Sequence, residues 1–253
     1  MLWLVDHPLV LFFAMMLLFV GCTRGGVFAR AHGHKLSSAE RAEFDLVRNA
    51  MFTLLGLVIG FAISMAVNRY DLRKGLEESE ANAIGTEFVR LDFMPPETAA
   101  KARALLKIYA GERVAYYGAL GSDGVAKNAA DTEKTMAALW ATIAPGVGAN
   151  ETAVTALVAS GMNDVLNAYG YTVAAWRNRL PVEVWLLIIA VAAGCNFLIG
   201  FGAEKLSSAT HAILPITASL AIFLIADVEG PRNGFVRVHP INLIDAASSM
   251  KAP

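Results

Sequence analysis

The sequence is short of charge. Asp, Glu, Lys and Arg make up 17% of its 253 residues, against about 25% in an ordinary soluble domain. Cysteine is almost absent, and Cys22 and Cys195 lie too far apart to suggest a disulfide framework or a metal-ligand spacing. The formal net charge of -1 excludes a general attraction to nucleic acid or acidic lipid. No serine-histidine-acid set is legible, no glycine-rich loop follows a strand, and no basic stripe alternates with aromatics. The sequence therefore predicts no catalytic residue, no cofactor, no bound metal and no nucleic-acid partner.

What the chain has instead is apolar length. Hydrophobic side chains account for 56% of the residues and the mean hydropathy is +0.49. A helix crossing a bilayer needs about 20 mostly apolar residues. Four stretches meet that need: 2–22, 50–67, 184–203 and 207–226. The first ends in Val20-Gly21-Cys22, like a lipoprotein signal, but no Lys or Arg precedes Arg24, so the basic region of a signal is missing. It reads as a retained span.

The pattern predicts an all-α membrane protein with four transmembrane helices in a two-plus-two arrangement. Residues 1–68 hold the first two spans, joined by a loop at 24–48. Residues 69–182 form a helical domain outside the membrane, 183–227 the last two spans, and 228–253 a tail. In the middle region Pro95 and Pro96 end one helix and suit the first turn of the next. Residues 118–124 read as a loop. A short helix over 131–144 is stopped by Pro145-Gly146, and Asn150 caps a long helix reaching about residue 180. Residues 235–238 look strand-like after a turn at 231–234. Charge does not set the orientation. Arg24, Arg30, Lys35, Arg41, Arg48 and Lys205 on one side nearly balance Arg69, Arg73, Lys74, Arg177, Arg179, Arg232 and Arg237 on the other.

The second span carries the most information. Projected at about 100° per residue, Gly56, Gly60 and Ser64 form one stripe of small residues, suited to close helix packing in a bilayer. The opposite stripe is bulky: Met51, Leu54, Val58, Phe61 and Met65. Periodicity alone favours lipid against that stripe. The other reading is a central axis, with apolar rings that gate by dewetting. Beyond Asn68 the helix turns ionic without a break, and Arg69, Arg73, Glu77, Glu80 and Glu87 share one arc. Such an arc is expected to be solvated and laced by i,i+4 pairs, each contributing about 0.2–0.5 kcal/mol. Glu77, Glu78 and Glu80 do not converge on one face, which argues against a metal or acid-base site.

Smaller features have structural readings. His32 and His34 lack a third ligand and suit a solvated loop. His211 and Pro215 lie near the start of the last span, where the proline is expected to kink the helix. Asn196, inside the third span, is expected to bond a neighbouring helix. The sequon at Asn150-Glu151-Thr152 is incidental.

The block GFAISMAVNRYDLRKGLEESEANAIGTEFVRLDFMPPE, residues 60–97, resembles the bestrophin-like family of mostly uncharacterised bacterial membrane proteins. Glu80, Asn82 and Gly85 stand in its EANAIGT motif. The stretch DVEGPRNGFVRV, residues 227–238, is similar to a second family signature and supplies Asp227, Pro231 and Gly234. The resemblance covers nearly the whole chain. It implies long second helices around a central pore, a helical domain and both termini in the cytoplasm, and a bacterial inner-membrane location. Bestrophins are pentameric channels that mostly pass anions. The resemblance thus implies a homo-oligomer in the lipid bilayer, with small inorganic ions as its partners. Met51, Leu54, Val58, Phe61 and Met65 then line the neck, and Arg69 and Arg73 concentrate anions beside it. Two departures stand out. Asp227 and Glu229 fall short of the roughly 6–8 oxygen donors that calcium prefers, and the proposed neck has Phe61 as its one aromatic. The alternative is a non-conducting four-span protein whose helical domain senses or docks a partner. In that case residues 109–117, Trp140 and Trp176 are the interface candidates.

Overall fold

The computed structural model describes residues 2–33, 36–119, 121–149, 152–203, 208–230, 232 and 234–250. Among them there is no strand. The helices are α1 (Leu2–Val5), α2 (Pro8–His32), α3 (Ser38–Arg90), a 3-10 turn (Leu91–Phe93), α4 (Pro96–Gly118), α5 (Gly121–Ala149), α6 (Ala153–Arg177), α7 (Val182–Gly202), α8 (Ser208–Glu229) and α9 (Ile241–Ser249). They divide into two compact units. The first holds Met1–Arg69 and Arg179–Arg237, the second Tyr70–Asn178 and Val238–Pro253.

In the first unit α2 packs on both α7 and α8. Pro8 sits in the first turn of α2, where its missing N–H costs nothing. Leu11, Met15 and Phe19 follow at four-residue spacing and enter a core with Leu55, Ala62, Trp185, Ile188, Cys195 and Ile222. The outer faces are equally apolar: Phe13, Leu17, Leu57 and Leu186 are all exposed. Four helices are long and apolar enough to cross a membrane, and side chains of this kind turned outward in such numbers require hydrocarbon as solvent. The protein is a multi-pass membrane protein with four spans per subunit.

The loop expected over 24–48 is helical for most of its length. Helix α2 continues to His32 because it is still packed there. A Cβ on Gly26 would lie 2.7 Å from the amide nitrogen of Phe201, and the Arg30 guanidinium donates to the Phe201 carbonyl in the last turn of α7. His32 belongs to this helix and hydrogen-bonds the Phe28 carbonyl; His34 lies outside the described residues. Asn196 turns back on its own helix, donating to Ala192 O rather than to a neighbour. Pro215 falls inside α8.

The second unit gathers the rest of α3 with α4, α5, α6 and α9 around Ile84, Leu91, Leu106, Tyr109, Leu139, Ile143 and Met162. Pro96 opens α4 as expected. Most of the loop expected at 118–124 is helical: Gly118 still belongs to α4, and Gly121 takes a φ of +71° and opens α5. Helix α5 also runs through Pro145 to Ala149. Ile143 and Val147, on either side of the proline, both pack on the core, and that burial offsets the lost backbone bond. Asn150 and Glu151 lie outside the described residues. The cap of α6 is Thr152, in a reciprocal box with Thr155.

Candidate functional site

Helix α3 turns one arc of its apolar half into the first unit. Leu55, Ala62 and Ala66 are buried there, and Met51, Phe52, Val58, Ile59 and Met65 pack partly against the same core. The bulky stripe is therefore divided. Met51, Val58 and Met65 lie along the edge of the subunit's own core, while Leu54 and Phe61 are exposed, Phe61 to 61%. Gly56, Gly60 and Ser64 sit on the open face, and nothing lies within 4 Å of a Cβ added to either glycine. The close helix approach within the subunit is made elsewhere, where Gly26 of α2 meets Gly200 of α7; a side chain on either would strike the other helix's backbone. The sequence signal for that crossing is slight: Gly200 lies in the third apolar run, but Gly26 lies beyond the first, in the stretch expected to be a loop, and neither belongs to a four-residue repeat.

The ionic half of α3 reverses the expected solvated face. Arg73, Glu77, Glu80 and Glu87 are each no more than 1% exposed. Arg73 donates to the carbonyls of Ala175 and Asn178, thereby satisfying orphan acceptors at the C-terminus of α6. Glu77 accepts from the Leu243 amide and the Asn242 side chain in the first turn of α9. Charge usually seeks water, but here Arg73 and Glu77 meet helix ends and Glu80 meets a counter-charge, while Glu87 has no hydrogen-bond donor among the described residues.

Glu80 is the centre of the second unit's polar core. Arg113 donates to it at 2.5 Å from Nε, and the hydroxyls of Tyr109 and Thr172 donate at 3.0 Å each. The Arg113 guanidinium also stacks over the rings of Tyr116 and Tyr169, 4.5 and 4.8 Å from their centroids. Burial first, and then the Glu80 carboxylate, push the Tyr109 hydroxyl well above the usual tyrosine range, so it stays a donor. Sequence reasoning missed Arg113, although its spacing from Tyr109 and Tyr116 places it on the buried face of α4. Tyr109, Tyr116, Tyr117 and Trp176 belong to this core too, so they are not a docking surface; of the proposed interface aromatics Trp140 is exposed. The other motif residues of this stretch, Asn82 and Gly85, lie towards the open side of α3.

At the end of α8 the second signature makes a knot inside the first unit. Asp227 is buried, and its two carboxylate oxygens accept the amides of Phe235 at 2.6 Å and Val236 at 3.0 Å. This is the stretch expected to be strand-like; its amides bond a side chain in place of a neighbouring strand. Gly234 packs so closely that a Cβ would lie 2.6 Å from the Asp227 carbonyl oxygen. Pro231 lies outside the described residues. Glu229 accepts from the Leu180 amide at 2.7 Å and from Arg69 at 3.1 Å. Arg69 is thus engaged with the end of α8, and Arg179 pairs with Asp6. Among the described residues no group of three or more His, Cys, Asp or Glu side chains is placed to hold a metal ion.

The family model described as a Bestrophin-like domain matches residues 12–243. Among solved structures, a mutant of a bacterial Bestrophin homolog from Klebsiella pneumoniae is similar at 15% identity and a TM-score of 0.68, over 95% of this chain and 98% of that one. A second mutant of the Klebsiella pneumoniae homolog gives 15% identity and 0.65 over 93% and 98%. A structure described as a membrane protein gives 15% and 0.66 over the same shares. No curated protein matches.

Proposed function

The chain belongs to the Bestrophin-like family, and on that premise we propose that it is the subunit of a homo-oligomeric ion channel, most simply a pentamer. Copies of α3 surround an axial pathway, and Leu54 and Phe61 form its narrow apolar neck, edged by Met51, Val58 and Met65. The observation that carries this reading is the exposure of Phe61 and Leu54 on a helix whose other side is already packed in its own subunit. Gly56, Gly60 and Ser64, open in the single subunit, are where a neighbouring copy approaches. Small inorganic anions are the proposed cargo. Arg69 and Arg73 then act on the pathway by fixing helix positions, since both are bonded to other helices. The channel sits in the bacterial inner membrane, with the helical domain and both termini in the cytoplasm.

Flux through liposomes reconstituted with wild type and Phe61→Ala tests the reading. A wild-type ion leak that grows when the ring is removed supports a neck at Phe61. Equal, negligible leak in both overturns it. Reversal potentials in asymmetric chloride then decide the sign of the permeating ion.

A further inference from the structure

Glu87, which immediately follows the EANAIGT motif of α3, is set apart from the other buried carboxylates of this helix. Glu77 and Glu80 have hydrogen-bond donors aimed at them. Glu87 is 0% exposed, and neither of its oxygens has a hydrogen-bond partner among the described residues. It packs against Gly161 of α6 so tightly that a side chain there would collide with Glu87 Oε2 and with Arg90 Nη1. Ile84 and Leu91, on its own face of α3, and Val158, Met162 and Val165, around Gly161 on α6, are all fully buried apolar side chains. Two charged groups face it. Arg90 lies one turn away on α3, and Asp164 is the sole charged residue of α6 before Arg177. Their separation is 4.0 Å, Nη1 to Oδ2. The guanidinium thus stands beside both carboxyl groups and is held loosely by the outer one.

An ionised carboxylate buried without donors is costly, whereas the neutral acid loses far less on leaving water. We propose that Glu87 is a proton-operated latch in the helical domain: as the neutral acid it seats α6 on α3 at Gly161, and on ionising it draws Arg90 away from Asp164 and loosens that seat. Burial is the main cause that pushes Glu87 up to about 8; Arg90 pulls it down in part and Asp164 pushes it further up. The sign follows from these shifts. The folded protein holds the proton that the unfolded chain releases near the ordinary 4.5, so the contact is strongest at acid pH. It weakens as pH rises from about 4.5 to about 8, and is flat above that. The device concerns the helical domain and stands whether or not the protein conducts.

The test uses the full-length protein in detergent or liposomes. Infrared difference spectroscopy should show a protonated side-chain carboxyl at pH 7 that fades as pH passes about 8, and that is missing in Glu87→Gln. Amide-exchange protection in α6, corrected for the intrinsic pH dependence of exchange, should fall between about pH 4.5 and about pH 8 in wild type and stay constant in Glu87→Gln. Asp164→Asn should move the midpoint to lower pH and Arg90→Gln to higher pH, which keeps the idea testable should the glutamine variant not fold. A carboxyl already ionised at pH 6, or α6 protection with the same pH profile in Glu87→Gln, would overturn it.

Discussion

Glu80 and Arg113 form an ion pair in which both side chains are entirely out of solvent, Oε1 to Nε at 2.5 Å. Such a pair is held by mutual need more than by net gain, because removing one partner strands the other. Glu80→Leu alone should cost about 3–5 kcal/mol of stability. The double variant Glu80→Leu/Arg113→Met should recover most of that loss. Thermal melts of the three proteins in detergent would check this, and equal destabilisation by the single and double variants would show that the pair does not act as a unit.

Arg73 ties the middle of the long helix to the last turn of α6. Arg73→Met should lose about 1.5–3 kcal/mol, the range for hydrogen bonds to a charged group. It should also raise amide exchange in residues 174–178 more than elsewhere. Arg73→Lys, with one point charge in place of a fork, should recover only part. Uniform exchange along α6 in the Met variant would refute a capping role.

Gly26 and Gly200 let α2 and α7 touch. Gly200→Leu should therefore prevent the membrane bundle from closing, seen as aggregation or loss of the monodisperse peak. A Cβ at Gly60 has no atom of its own subunit within 4 Å, so Gly60→Leu subunits should fold. If neighbouring copies meet along that stripe, as proposed, Gly60→Leu should lower the oligomer mass in native mass spectrometry. An unchanged mass would move the subunit interface to another face.

These residues also mark how far the sequence was readable. The four spans were legible because hydrocarbon imposes a one-dimensional requirement, about 20 apolar residues in a row. Their packing was not. The stripe of Gly56, Gly60 and Ser64 advertised a contact that the single subunit does not make, whereas Gly26 and Gly200 fell outside any four-residue repeat. The ionic arc of α3 was placed correctly on one face and assigned to the wrong solvent. Ile84 and Leu91 lie among Glu77, Glu80 and Glu87 at alternating steps of three and four residues, and apolar residues sharing a face with charges are the sign that the face is buried. Pro145 and the glycines at 118–124 read as breaks in the sequence because local propensity carries no knowledge of Ile143 or Leu139 in the core behind them.

The tail should depend on one side chain. Asp227→Ala removes the acceptor for two backbone amides, at about 1–3 kcal/mol for each buried group left unpaired. Limited proteolysis should then cut within 234–240 well before it cuts wild type. Added calcium should leave the wild-type melting temperature where it was, since both Asp227 oxygens are already engaged. A calcium-induced rise would show that the ion displaces the amides.

That arrangement makes the last span's terminus self-sufficient: the polypeptide plugs its own anionic socket. Shortening the chain behind Gly230 would unplug it and leave a shielded carboxylate open to whatever cation the compartment offers. A purely mechanical fastening would thereby become an electrolyte-dependent one, made by deletion alone.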